Sequence, residues 1–140
     1  MESGVEVQRD LEGVDWFALK TSLAADRFDN GRTPDELRQS FEASFATAVV
    51  WDGKSVIGTA RLLGDGVCNA YLVDVWTATR RRRRGIGAAM VRDLLSRVPG
   101  HHVALFTEHQ VAFYAGLGFE GEESGMSLVV GDWLNRPRPV

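Results

Sequence analysis

Residues 67–77 (VCNAYLVDVWT) are dense in β-branched and aromatic side chains, and they run almost directly into five consecutive arginines at 80–84. Gly85-Ile86-Gly87 follows, and a helical pattern leaves it. No other stretch restricts the fold as strongly. The first segment reads as a strand largely buried on both faces. After the glycines, Ile86, Met90, Val91, Leu94, Leu95 and Val98 recur at helical spacing until Pro99-Gly100 ends the pattern. Gly85 and Gly87 therefore sit at a strand-to-helix turn, where the lack of a Cβ lets backbone N–H groups approach a ligand closely. The unsatisfied amides of a helix N-terminus then meet an anion with the helix dipole in favour. The flanking arginines add charge and forked donors that match phosphate oxygens.

The loop lacks the third glycine of the dinucleotide fingerprint and the Gly-Lys-Ser/Thr of a Walker A loop. A nucleotide phosphate is thus expected without either of those folds. Arg82-x-x-Gly85-x-Gly87 between a strand and a helix resembles the acyl-CoA pyrophosphate loop of the GNAT N-acyltransferase superfamily. A second, independent element agrees with it. Residues 113–119 (FYAGLGF) resemble the Phe-Tyr-x-x-x-Gly-Phe element that follows the fifth strand in that superfamily. Here it follows a predicted strand at 102–107 and a short predicted helix at 110–117. The resemblance covers roughly residues 56–130, and the first third of the chain matches only in its order of elements.

That order places a strand at 5–8, a helix at 15–25 and a loop at 26–32. Thr33-Pro34-Asp35-Glu36 then starts a second helix that reaches about 44, with Thr33 as N-cap and Glu36 closing a capping box. Strands at 46–51 and 55–63 join at Asp52-Gly53, and 126–130 reads as a last strand. The sequence β-α-α-β-β-β-α-β-α-β is α+β and fits a GNAT-like mixed central sheet flanked by helices, in one domain spanning residues 1–140.

Amide formation from an amine and a thioester needs a neutral amine, a polarised carbonyl and a proton for the departing thiolate. The resemblance implies acetyl-CoA as co-substrate and assigns its parts. The carbonyl and pantetheine meet main-chain groups of the fourth strand at Val75, Trp76 and Thr77. The pyrophosphate falls to Arg82, Arg83, Arg84, Gly85, Ile86, Gly87 and Ala88, and the general acid is Tyr114. A phenol of ordinary pKa keeps its proton at neutral pH, while Phe113 and Phe119 read as core. Thr107 stands where many members carry an asparagine that contacts the pantetheine. Arg83 replaces a frequent glycine, which its backbone tolerates only at negative φ.

Asp74 lies inside an apolar strand, and alternation puts it on the face of Leu72 and Trp76. Burial raises a carboxyl toward the range of a useful base for the substrate ammonium. The equal alternative is a carboxylate neutralised by an arginine or by backbone amides. Asp65, Glu108 and His109 rank lower as bases. His101 and His102 point to opposite faces of a strand with no third ligand nearby, so no metal is expected. Trp16, Phe17, Phe28 and Phe41 lie in the N-terminal helices and loop that wall the acceptor cleft in this family, and periodicity assigns most of them to the core. Phe28, between Asp26 and Asp29, is the exception, expected with Trp76 to meet a cationic amine.

The chain is 140 residues long and carries a net charge of −3. Residues 1–74 hold 13 acids against 7 bases and residues 75–140 hold 6 against 9, which suits an anionic cofactor and a cationic acceptor. The net acidity, and the absence of interleaved aromatics, argue against reading Arg80 to Arg84 as a nucleic-acid or targeting patch. An idle acyl-CoA-binding domain and a donor with a longer acyl or aminoacyl group are the remaining rivals. The lone Cys68 excludes an internal disulfide and agrees with a reducing compartment. With short apolar runs and an acidic, polar start, the chain is expected in the cytoplasm, away from membranes. A homodimer is a partner the resemblance allows, beside a small-molecule or peptide amine.

Overall fold

Two capped helices precede the sheet in the computed structural model, which describes residues 4–137. Asp15 opens α1 (Trp16–Ala25) by accepting the Ala18 N–H at 3.0 Å. Thr33 opens α2 (Pro34–Glu42) through a reciprocal pair, in which the Glu36 N–H donates to Thr33 Oγ1 at 3.1 Å and the Thr33 N–H to Glu36 Oε1 at 2.9 Å. Pro34 sits at a position whose N–H has no helical partner, so its ring is free of cost there. Losing the Thr33 hydroxyl strands the Glu36 amide. Thr33→Ala is therefore expected to lower stability by about 1 kcal/mol, read in a thermal melt as a midpoint roughly 3 to 5 °C lower. An unchanged midpoint would mean that water caps the helix equally well.

The strands β1 (Ala46–Asp52), β2 (Ser55–Gly64), β3 (Asn69–Thr77) and β4 (His102–Ala104) form one sheet in the order β1-β2-β3-β4. The first three are antiparallel neighbours, and β4 joins β3 in parallel. A parallel pair needs a crossover, and α3 (Ile86–Leu95) supplies it. Ile86, Met90, Val91 and Leu94 are its buried residues. Gly58 in β2 explains the close fit of this helix, because a Cβ there would lie 3.0 Å from Ile86 Cγ2 and 3.1 Å from Met90 Cε. From the N-terminal helices, Leu19, Leu23, Leu37 and Phe41 cluster with Trp76 of β3. The result is the expected α+β class, a mixed sheet flanked by helices. No helix among the described residues is long and apolar enough to cross a membrane.

Three strands differ from expectation. The one predicted at 5–8 is a single bridge between Gln8 and Val49. The one predicted at 102–107 ends at Ala104, and residues 126–130 form no strand, with Met126 94 % exposed. Propensity favours an extended chain in all three, but a strand also needs a partner edge along its length. In β3 the residues Ala70, Leu72, Asp74 and Trp76 are buried and those between them half-buried.

Thr107 ends the first of two compact units. The second contains α4 (Val111–Gly116), where Tyr114 meets Phe113 and Phe119 edge-on at ring distances of 4.9 and 5.7 Å.

Candidate active site

β3 and β4 part early. They pair only through Asn69 with His102, Ala70 with Val103 and Tyr71 with Ala104, after which β3 runs on to Thr77. The Tyr71 and Phe106 rings meet edge-on at 5.9 Å beside this opening. On the other side β3 carries a bulge. Thr59 pairs with Trp76 and Arg61 with Val73, so Asp74 and Val75 together oppose Ala60. Asp74 takes a left-handed φ of +57° to make this possible.

The bulge changes the phase of the strand. Before it, the Asp65 N–H donates to the Asn69 carbonyl and the His102 N–H to the Cys68 carbonyl, which by alternation turns Tyr71 and Val73 to β2 and Leu72 to β4. After it, the Ala78 N–H donates to the Ile57 carbonyl at 2.8 Å, which turns Trp76 to β2 and the main-chain groups of Val75 and Thr77 to the open edge. Of the three residues expected to meet the cofactor, Val75 and Thr77 thus stand on that edge. Trp76 is turned inward, with its side chain in the core and its indole N–H donating to Asp26 Oδ2 at 2.9 Å.

Beyond Thr77 the chain makes a 3₁₀ turn at Thr79–Arg81 and then enters α3. Arg82 Nε donates to the Thr77 carbonyl at 3.1 Å, and its guanidinium lies 4.0 Å from Asp26. Arg81 is paired with Asp52. The five arginines are therefore not one uniform patch. Arg83 has a φ of +65°, which corrects the expectation of a negative value. A single left-handed residue costs only about 1 kcal/mol, and the chain must reverse direction here within a few residues. Gly85 is the N-cap of α3 at φ +80°, with no side-chain cap. Its carbonyl accepts the Ala89 N–H at 3.0 Å, which leaves the N–H groups of Ile86, Gly87 and Ala88 without helical acceptors. With Arg83 and Arg84 exposed beside them, these amides could hold an anion such as a diphosphate.

Asp74 is 8 % exposed and fully engaged. Arg32 grips it with both terminal nitrogens, at 2.9 Å to Oδ2 and 3.0 Å to Oδ1, and Arg61 Nε donates to Oδ2 at 2.6 Å. Of the two sequence readings of this residue, the geometry matches the neutralised carboxylate. Asp26 accepts from the Trp76 indole and from Thr79 Oγ1, both at 2.9 Å, and the indole bond is the main cause of a lowered pKa. Asp29 pairs with Lys20, which holds its carboxyl low as well. Phe28, expected to stand apart from the core, is half-buried against the Leu19 and Phe41 cluster. The exposed aromatic of the first helix is Phe17.

Asp65 accepts the N–H groups of Val67, Cys68 and Asn69, which hold its carboxyl well below the usual carboxylate range. It builds its loop and is a poor base. Glu108 and His109 are exposed and lie 3.6 Å apart. Thr107 is half-buried beyond the end of β4, and burial raises the Tyr114 phenol above its ordinary value. Arg32 and Arg61 escaped the sequence reading. Arg61, the one charged residue of segment 55–63, was the available signal.

Residues 10–119 match the sequence profile of the acetyltransferase (GNAT) family. Serotonin N-acetyltransferase 2, chloroplastic, from Oryza sativa subsp. japonica is 33 % identical over 127 residues, which cover 83 % of this chain and 62 % of the relative. GCN5-related N-acetyltransferase 2, chloroplastic, from Arabidopsis thaliana is 38 % identical over 78 residues, or 52 % of this chain and 30 % of the relative. The chain thus spans less than two thirds of the length of either. A GNAT-family acetyltransferase from Streptococcus pneumoniae TIGR4 has a similar structure, with a TM-score of 0.76 at 25 % identity over 91 % of this chain and 99 % of that one.

Proposed function

The chain belongs to the acetyltransferase (GNAT) family, and from that premise we propose that it moves the acetyl group of acetyl-CoA directly to an amine of a small molecule or peptide. The observation that carries this reading is one strand, β3, whose open edge at Val75 and Thr77 leads straight into the amide-lined start of α3. A thioester on that edge and a diphosphate on the amides of Ile86, Gly87 and Ala88 use both features at once, with Arg82, Arg83 and Arg84 supplying charge. The neutral amine nitrogen attacks the thioester carbon, the C–S bond breaks, the thiolate takes a proton from the Tyr114 phenol, and the proton that the nitrogen sheds as the amide forms goes to solvent, from which the phenolate regains its own. Asp74 is committed to Arg32 and Arg61, so the substrate ammonium gives its proton to solvent. The free thiol of Cys68 fits a reducing compartment, and we assign the protein to the cytoplasm.

Thermal melts with acetyl-CoA, and with adenosine as control, test the cofactor. Acetyl-CoA well above its dissociation constant is expected to stabilise the fold by about 3 to 4 kcal/mol. Thiol release is then followed across a panel of primary amines that begins with serotonin, the substrate in the name of one relative. No shift with acetyl-CoA would overturn the reading. A shift without thiol release from any amine would leave an acyl-CoA-binding domain.

Tyr114→Phe is expected to lower turnover about a hundredfold while acetyl-CoA affinity stays unchanged. Because burial raises this phenol, it keeps its proton through neutral pH, and donation fails only as pH rises beyond the ordinary tyrosine range. The wild-type rate should therefore fall on that alkaline side, and the variant should lack this limb. Equal losses in turnover and affinity would remove Tyr114 from the proton-donor role.

A further inference from the structure

A non-glycine residue held in a left-handed conformation inside a strand persists only where its surroundings over-determine it. At Asp74 the surroundings are two arginines from distant parts of the chain. Beyond the carboxylate, Arg61 donates to the Ser40 carbonyl at 3.2 Å and to Ser44 Oγ at 3.4 Å, and its guanidinium lies 5.7 Å from the centre of the Phe41 ring. Arg32 donates through Nε to the Asp29 carbonyl at 3.1 Å, and Thr59 Oγ1 donates to the Asp74 carbonyl at 3.4 Å. One carboxylate thus ties the bulge of β3 to β2, to the end of α2 and to the loop between α1 and α2. Side-chain exposures of 6 % for Arg32, 4 % for Asp74 and 11 % for Arg61 put the whole group out of solvent.

Stability alone is a weak reason to bury two cations around one anion, since an apolar replacement of such a group is often as stable or more so. Its geometric product is more specific. Without the two-for-one bulge, alternation would turn Val75 toward β2 and Trp76 toward the open edge. With it, the Val75 N–H faces the opening between β3 and β4.

We propose that Arg32 and Arg61 are positioning residues for acyl transfer: by holding Asp74 in the bulge they set the phase of β3 that presents the Val75 N–H to the acetyl carbonyl. The inference rests on the acetyl-transfer reading above. It assigns the arginines no contact with substrate, and it makes Asp74 a fixed support with no part in proton transfer.

The test is infrared spectroscopy of acetyl-CoA carrying ¹³C at the acetyl carbonyl, bound to the wild-type protein and to Arg61→Lys, Arg32→Lys and Asp74→Asn. Lysine keeps the charge and loses the fork, and asparagine tolerates the left-handed φ, so each variant has a route to folding that melts and circular dichroism verify. In the wild-type protein the bound carbonyl stretch is expected below its free frequency, as hydrogen bonding polarises the C=O. In each folded variant at least half of that displacement should vanish while affinity for CoA without the acetyl group is retained. Turnover should fall about tenfold or more, with the shape of the pH profile unchanged. A full carbonyl displacement in folded variants would overturn the proposal, as would loss of CoA affinity itself or a pH limb that disappears in Asp74→Asn. Failure of the wild-type protein to bind either CoA or acetyl-CoA would instead overturn the acetyl-transfer reading on which it stands.

Discussion

Gly85→Asp is expected to abolish the stabilisation by acetyl-CoA while leaving a folded protein. Position 85 caps α3 at φ +80°, so any side chain there carries a left-handed penalty of about 1 kcal/mol. An aspartate is otherwise a favourable N-cap, and the melting temperature without ligand should drop only modestly. The charge is what decides the outcome. A carboxylate about 5 Å from a phosphate repels it by roughly 3 kcal/mol per unit charge at an effective dielectric constant of about 20. That alone weakens binding by more than about a hundredfold. Gly85→Ala separates the two causes, because it carries the strain without the charge and should retain most of the ligand-induced shift. A folded Gly85→Asp protein with wild-type acetyl-CoA affinity would move the diphosphate away from this loop.

The second large effect concerns stability. Asp74→Ala removes the anion between Arg32 and Arg61 and leaves two guanidiniums buried without its counter-charge, besides putting alanine at φ +57°. Breaking a buried pair by deleting one member costs about 3 to 5 kcal/mol, a large share of the roughly 5 to 15 kcal/mol that holds a domain together. Urea titration should show the midpoint falling accordingly, with the slope unchanged if the native state stays intact. A loss below about 1 kcal/mol would mean that water reaches both arginines once the carboxylate is gone. Asp74→Asn keeps an acceptor and tolerates the left-handed backbone, so it should lose less than alanine.

Local chemistry made much of this fold legible in advance. Asp15 and Thr33 cap their helices through side chains that reach amides only a few residues away, and Gly85 precedes α3 with the positive φ that only glycine adopts freely. The reach of those interactions is short, so the sequence states them directly. The loop of Arg82, Gly85 and Gly87 and the element at 113–119 carried the family resemblance for the same reason, each being a contiguous string.

Other parts were illegible. Residues 126–130 have the composition of a strand, yet whether an extended segment joins a sheet depends on an edge that another part of the chain must offer. Arg83 could be judged only against the usual cost of a left-handed arginine, and the tight reversal into α3 overrode that cost. Phe28 carries two carboxylate neighbours in sequence, but Asp26 is taken by Trp76 and Thr79, and Asp29 by Lys20.

The sequence by itself determined the glycine turn into α3, the helix starts and the α+β order, because glycine, capping residues and apolar periodicity act within a few residues of where they stand. Only the tertiary structure decided what Asp74 does. Its carboxylate meets Arg61 from 13 residues away and Arg32 from 42, and the bulge they hold selects which amides of β3 face the open edge. Contacts across such separations leave no periodicity in one chain, since any arginine could have been the partner until the sheet and the helices were packed together.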